Sequence, residues 1–292
     1  MRKAIIYLAI FIITISAIYL FFMRQEDHAV IKYFPLDEDL TFTKYMTDLD
    51  ILSEVDIDEY DVQWKASSDI DKAIYLRQDV SLLYVDGRLK GILSKWKENG
   101  QTIEQKTRIH GEDSSHFQAI TFHHGELHYP DDEIKSIQAM SYDELYVIDS
   151  PHTALESFDQ PLNQSQEEWK DTLDHATNQQ LSFHWRQLIN HFDIPAETYT
   201  IIPLTELYEF EKKPIPGLNI EETQQVIGQL WEGLYKNYIL GITGTQSNQH
   251  PINTFIPLVL FDNNGKHLIV LYQDEKEEKQ QLLQYYPSFD NR

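Results

Sequence analysis

Apolar and polar positions fall into three regimes along the chain. Residues 4–23 form one uncharged run in which only Thr14 and Ser16 are polar. About 20 residues at ~1.5 Å rise span the ~30 Å hydrocarbon core, so this run predicts a transmembrane helix. Arg2 and Lys3 precede it, while Arg24 is followed at once by Glu26 and Asp27. That asymmetry predicts a transmembrane signal anchor over 1–24 with a short cytoplasmic N-terminal end, and an extracytoplasmic remainder, 25–292. Ile15-Ser16-Ala17 is a passable signal-peptidase triplet but lies inside the run, which favours an uncleaved signal anchor.

Beyond an acidic stretch, 25–59, read as a membrane-proximal stalk or short helix, the period becomes two. Tyr60, Val62, Trp64 and Ala66 alternate with Asp61, Gln63, Lys65 and Ser67, a half-buried strand pattern. Three turn signals follow. Asp86-Gly87, Asn99-Gly100 and His124-Gly125 predict hairpins between 81–85 and 88–93, 94–98 and 101–109, and 118–123 and 126–129. With a last strand at 145–148, residues 60–150 read as an antiparallel meander.

Residues 151–165 carry Pro151, Pro161 and Asn163 without a period and read as a linker. Ser165 through Glu168 resembles a capping box. Trp169, Leu173, Ala176, Leu181, Trp185, Leu188, Ile189 and Phe192 then mark the stripe of a long amphipathic helix. A strand at 198–203 precedes a second helix, which opens at Asn219 and carries Val226, Ile227, Leu230, Leu234 and Tyr238 on its apolar side. The segments 255–262 and 267–273, joined at Asn264-Gly265, predict a hairpin buried on both faces, with a third strand at 282–286. The fold class expected is α+β: an N-terminal transmembrane helix, an antiparallel β-meander half, then a helix-plus-antiparallel-sheet half over 166–292.

Composition narrows the function. The chain has 292 residues, 47 Asp and Glu against 24 Lys and Arg, and no Cys. Disulfide frameworks, thiolate metal sites and Cys nucleophiles are excluded. With Arg2, Lys3 and Arg24 set aside, the remainder holds 47 acids against 21 Lys and Arg, which argues against nucleic acid as a partner. It also predicts repulsion from an anionic lipid surface.

Six of the twelve His lie between His110 and His152. If His124-Gly125 is a two-residue turn, His123, Glu126 and His128 share one polar face. Two imidazoles and a carboxylate can hold a divalent metal with open positions. Such a patch beside carboxylates predicts raised His pKa values. The acids at 48–61 lack the Gly of a calcium loop. A second polar group, Asp171, His175, His184 and His191, lies on the first long helix. No HExxH, P-loop or nucleophile elbow is present, and no cofactor is evident.

A single anchor bearing an acidic, Cys-free outer portion is a layout common among envelope proteins of Gram-positive bacteria. The expected function is a membrane-anchored extracytoplasmic binding or regulatory module of the bacterial cell envelope. Its bilayer contact is through 4–23, and its partner is another envelope or membrane protein. The alternatives are a metal-assisted hydrolase at the His-rich hairpin and a passive structural protein.

Overall fold

In a computed structural model, residues 32–56, 59–150, 154–241 and 251–287 are described. The helix expected at 4–23 lies outside them. Among the described residues no helix is long and apolar enough to cross a membrane. The architecture is α+β with an antiparallel, sheet-rich body.

The first sheet is built on β2 (Glu59–Val85). β1 (Lys44–Asp56) pairs its first arm, so β1 lies inside the stretch expected to be a stalk. β3 (Arg88–Gly111) pairs β2 along both arms, and β4 (Ser115–His128) pairs its second arm. β5 (Ile134–Ile148) and the short β6 (Glu156–Phe158) complete the sheet. Tyr60, Val62, Trp64 and Ala66 are buried as their period requires. The sheet folds over, so that these residues and Leu49 pack against Leu83, Phe117, Ala119, Leu145 and Val147.

Of the three turn signals only Asp86-Gly87 reverses the chain. Both residues have positive φ, 48° and 77°, as a type I′ turn demands. Asn99-Gly100 is a corner within β3. Asn99 has φ 49°, and the ladder passes from Asp69↔Thr102 to Ile74↔Gly100, leaving extra β2 residues that bend the sheet. Gly125 sits in the unbroken β4 for a different reason. A Cβ there would come within 2.4 Å of Ile74 Cδ1 and 2.9 Å of Ile137 Cγ1. The glycine leaves room for Ile74 of β2 and for its cross-strand partner Ile137 of β5, and the chain reverses at Pro130–Asp132 instead.

α1 (Gln164–His191) begins one residue after Asn163, whose side chain accepts from Gln166 N; the cap therefore precedes the Ser165 signal. A second sheet has the order β10-β9-β8-β7, with β7 Tyr199–Pro203, β8 Leu258–Asp262, β9 His267–Gln273 and β10 Lys279–Tyr285. Leu258, Leu260, Ile269 and Leu271 face Leu188 of α1. On the other face, Phe261 meets Phe210 of the 3₁₀ helix Leu204–Glu211, and Tyr272 meets Tyr238. Both faces are covered, as the continuous apolar runs require. α2 (Ile220–Leu234) opens with the full Asn219/Glu222 capping box and lays Trp231 on Phe122 of β4, ring centroids 5.1 Å apart. Residues 31–292 form one compact unit.

Candidate functional site

The three residues expected to share a metal do not meet. In a continuous strand, side chains alternate between faces, so His123 opposes Glu126 and His128. Glu126 Oε1 and His128 Nε2 are 2.5 Å apart at the surface, with the imidazole stacked on Tyr75. His123 is fully buried on the other face, and its Nδ1 donates to Asp79 Oδ2 at 2.9 Å. The three-ligand group the fold does assemble is Glu59, His110 and Glu112, at the surface. The acidic and His positions of α1 also scatter: His184 is buried on Phe255, while His191 lies against Phe192.

His123 belongs to a buried polar line. Its Nε2 lies 2.8 Å from Ser141 Oγ, completing a Ser141–His123–Asp79 order that resembles a hydrolase triad. The surroundings argue for architecture. Ser141 Oγ is also held by Thr47 of the overlying β1 at 2.7 Å, and Thr47 bonds Thr121 at 2.6 Å. Thr121 donates to Ser81, which also accepts from Trp64 Nε1. At the other end Ser68 Oγ donates to Asp79 at 2.6 Å. Arg77 donates to Ser68 and to the Gln101 carbonyl, its guanidinium 4.8 Å from the Phe42 ring centroid. Arg77, Asp79 and His123 have no exposed surface, while Ser141 is half-buried and its Oγ is shared between His123 and Thr47. Burying such charges is tolerated when they are paired and hydrogen-bonded; the line pairs Arg77 with Asp79 at 4.0 Å but leaves Arg77 Nε and Asp79 Oδ1 without a hydrogen bond.

A cleft of about 200 Å³ opens where the first sheet meets α1 and the 3₁₀ helix. Both ring nitrogens of His116 face carboxylates, Glu144 Oε2 at 3.2 Å and Asp174 Oδ1 at 3.5 Å. Its ring stacks on Tyr146, centroids 4.0 Å apart. Tyr146 OH donates to Asp174 at 2.8 Å, and Lys170 Nζ bonds both groups. Burial, Glu144 and Asp174 raise the Tyr146 phenol far above its usual range. Burial alone would raise Glu144, but His116, Tyr142 and Lys170 hold it below the usual carboxylate value. His116, Glu144, Tyr146, Lys170 and Asp174 are each engaged by a neighbour. Glu206, which also lines the cleft, has no hydrogen bond or ion pair among the described residues, and burial with Glu209 nearby raises its carboxyl above the usual value. The wall can orient a polar molecule.

A larger groove, about 450 Å³, runs between α1, residues 252–255 and the β9–β10 connection. Phe183 and Ile252 line it, 61% and 36% exposed. Arg88 stacks on Phe255 at 3.9 Å and donates to the Asn253 carbonyl. Burial, with Arg88 and Lys279 nearby, lowers His184 to about 4.

None of these groupings carries a spacing signal. His116, Glu144 and Asp174 come from β4, β5 and α1, and only Lys170–Asp174 is a local i,i+4 pair. No family model, curated protein or solved structure matches the chain.

Proposed function

We propose that the protein is a membrane-anchored extracytoplasmic binding or regulatory module of the bacterial cell envelope. A helix over 4–23 tethers it, and its outer unit contacts another envelope or membrane protein. The observation that carries this reading is the groove beside α1. Phe183 and Ile252 stay in water beside the buried helix–sheet core of Leu188, Leu258, Leu260, Ile269 and Leu271, forgoing the stabilisation that burial would bring. Apolar side chains on the wall of a polar-rimmed groove favour a macromolecular partner. The separation of His123 from Glu126 and His128 favours binding over metal-assisted hydrolysis.

A photoreactive residue placed at 183 in intact cells tests the reading. It should yield a discrete adduct with a membrane or envelope protein. The same label at Tyr285, which is 71% exposed and outside the groove, should not yield that adduct. No adduct from 183, or equal adducts from both positions, overturns the proposal.

A further inference from the structure

We propose that the outer edge of β3, before its corner at Asn99, is a strand-addition site for an acidic, extended segment of a partner protein. This rests on the binding-module reading and names the chemistry of the partner.

The edge is open. β3 pairs β2 on one side. On the other side, among the described residues, the backbone of Leu89 bonds Asn253 and Thr254, and a bridge joins Arg88 to Phe255. Among the described residues no strand continues that pairing past Leu89, and residues 94–99 are exposed. Such an edge offers a row of unpaired backbone donors and acceptors, which an extended peptide can complete. The matching edge of β5 is closed. Pro35 and Asp37 bond its Ser136, the Glu211 carboxylate takes its Met140 N–H, and β6 pairs its end.

Charge selects the occupant. In a chain of net charge -23, β3 holds six Lys and Arg against two acids. Arg88, Lys90, Lys95 and Lys97 precede the corner, with only Glu98 opposing them. The outer strand β1 is the reverse, with Asp48, Asp50, Glu54 and Asp56 against Lys44. Edge lysines discourage pairing between identical edges, since two copies of β3 would set Lys95 and Lys97 against each other. An acidic strand removes that repulsion and is steered to these lysines in a chain that is acidic overall. Trp96, 44% exposed, gives such a segment an aromatic contact. The corner ends the site, so the added strand spans roughly 20–25 Å at ~3.3 Å per residue. At its other end the edge runs into the Phe183 groove. Lys90 Nζ bonds Asn253 Oδ1 at 3.0 Å there, and Arg88 belongs to both features.

The test uses the full chain in nanodiscs and a peptide of alternating Glu and Val. Binding should slow backbone amide exchange at 91–98, weaken as salt rises, and fall about tenfold in K95E/K97E. K97E alone should show part of the same loss; Lys97 has no ion pair among the described residues, so folding should be untouched. A Pro-interrupted version of the peptide should bind far more weakly. Equal binding of the interrupted peptide or of polyglutamate, or binding without protection at 91–98, overturns strand addition. Self-association of the chain that itself protects 91–98 assigns the edge to a second copy, through its acidic β1, and also overturns the proposal. If the peptide fails while position 183 still cross-links to an envelope protein, this inference falls and the binding-module reading stands.

Discussion

His123 and Asp79 stand opposite each other on β4 and β2, joined Nδ1 to Oδ2 at 2.9 Å, with no exposed surface on either side chain. The pair sits at the centre of the polar line that ties β1, β2, β4 and β5. Removing one member leaves the others buried without a counterpart. Asp79→Ala should therefore destabilise the fold by about 3–5 kcal/mol, because it strands the Arg77 guanidinium. Ser141→Ala removes one neutral, half-buried hydroxyl that links His123 to Thr47 and should cost only about 1 kcal/mol. Urea titrations of the two variants check this. Comparable losses would mean that the line is not organised around the Arg77–Asp79–His123 charges.

Val259 occupies the middle of β8, between β7 and β9, and is fully buried. Val259→Asp places an unpaired carboxylate between two covered sheet faces and should cost several kcal/mol. Lys279→Glu on the outermost strand β10 should change stability by about 0.5 kcal/mol or less. A thermal melt of Val259→Asp matching the parent would remove β8 from the core.

The period-two run from Tyr60, the Asn219 cap and the hairpin at Asn264-Gly265 were legible because each is a local signal, and local chemistry decided the outcome. Gly125 was not. The residue pair His124-Gly125 fits a turn equally well, and the need for space beside Ile74 and Ile137 arises only once β2 and β5 are paired on either side of β4. That one difference in chain direction moved His123 to the face opposite Glu126 and His128 and dissolved the expected metal set. Arg77 and Asp79 were hidden for a related reason: charged residues in a strand read as its solvent face, and here they are interior. The cleft around His116 draws on three elements distant in sequence, which no spacing rule connects.

Tethering is open to direct test. The uncharged run 4–23, flanked by Arg2 and Lys3, predicts that residues 25–292 face outward and stay attached. Protease added to cells stripped of their wall should digest the outer unit and leave a short membrane-protected fragment. Full protection of the outer unit, or release of a mature form lacking the run, would overturn that topology.

Acid sensitivity follows from three buried groups with opposing signs. Burial lowers His124 and His184 from 6.5 to about 4, so both stay neutral in the fold while the unfolded chain takes up protons. Their stability contribution is complete above pH ~6.5 and is lost as pH falls toward the folded value, at about 1.4 kcal/mol per pH unit for each. At His124 this reverses the rise expected for the His-rich stretch, because desolvation outweighs the nearby Asp79 charge. Asp143 acts oppositely. Burial, with Asp48 and Asp159 nearby, raises it from 3.8 to about 6, so its neutral form is favoured in the fold and its contribution is lost as pH climbs through that interval. Glu206 and Glu211, also raised by burial, act with Asp143, so the parent's slope between about pH 6 and 4 is a balance of both kinds. Relative to the parent, unfolding free energies across that interval should fall more steeply on acidification in Asp143→Asn. They should fall less steeply in His184→Gln. An Asp143→Asn slope shallower than the parent's, or a His184→Gln slope steeper than it, would contradict the assignment of these groups.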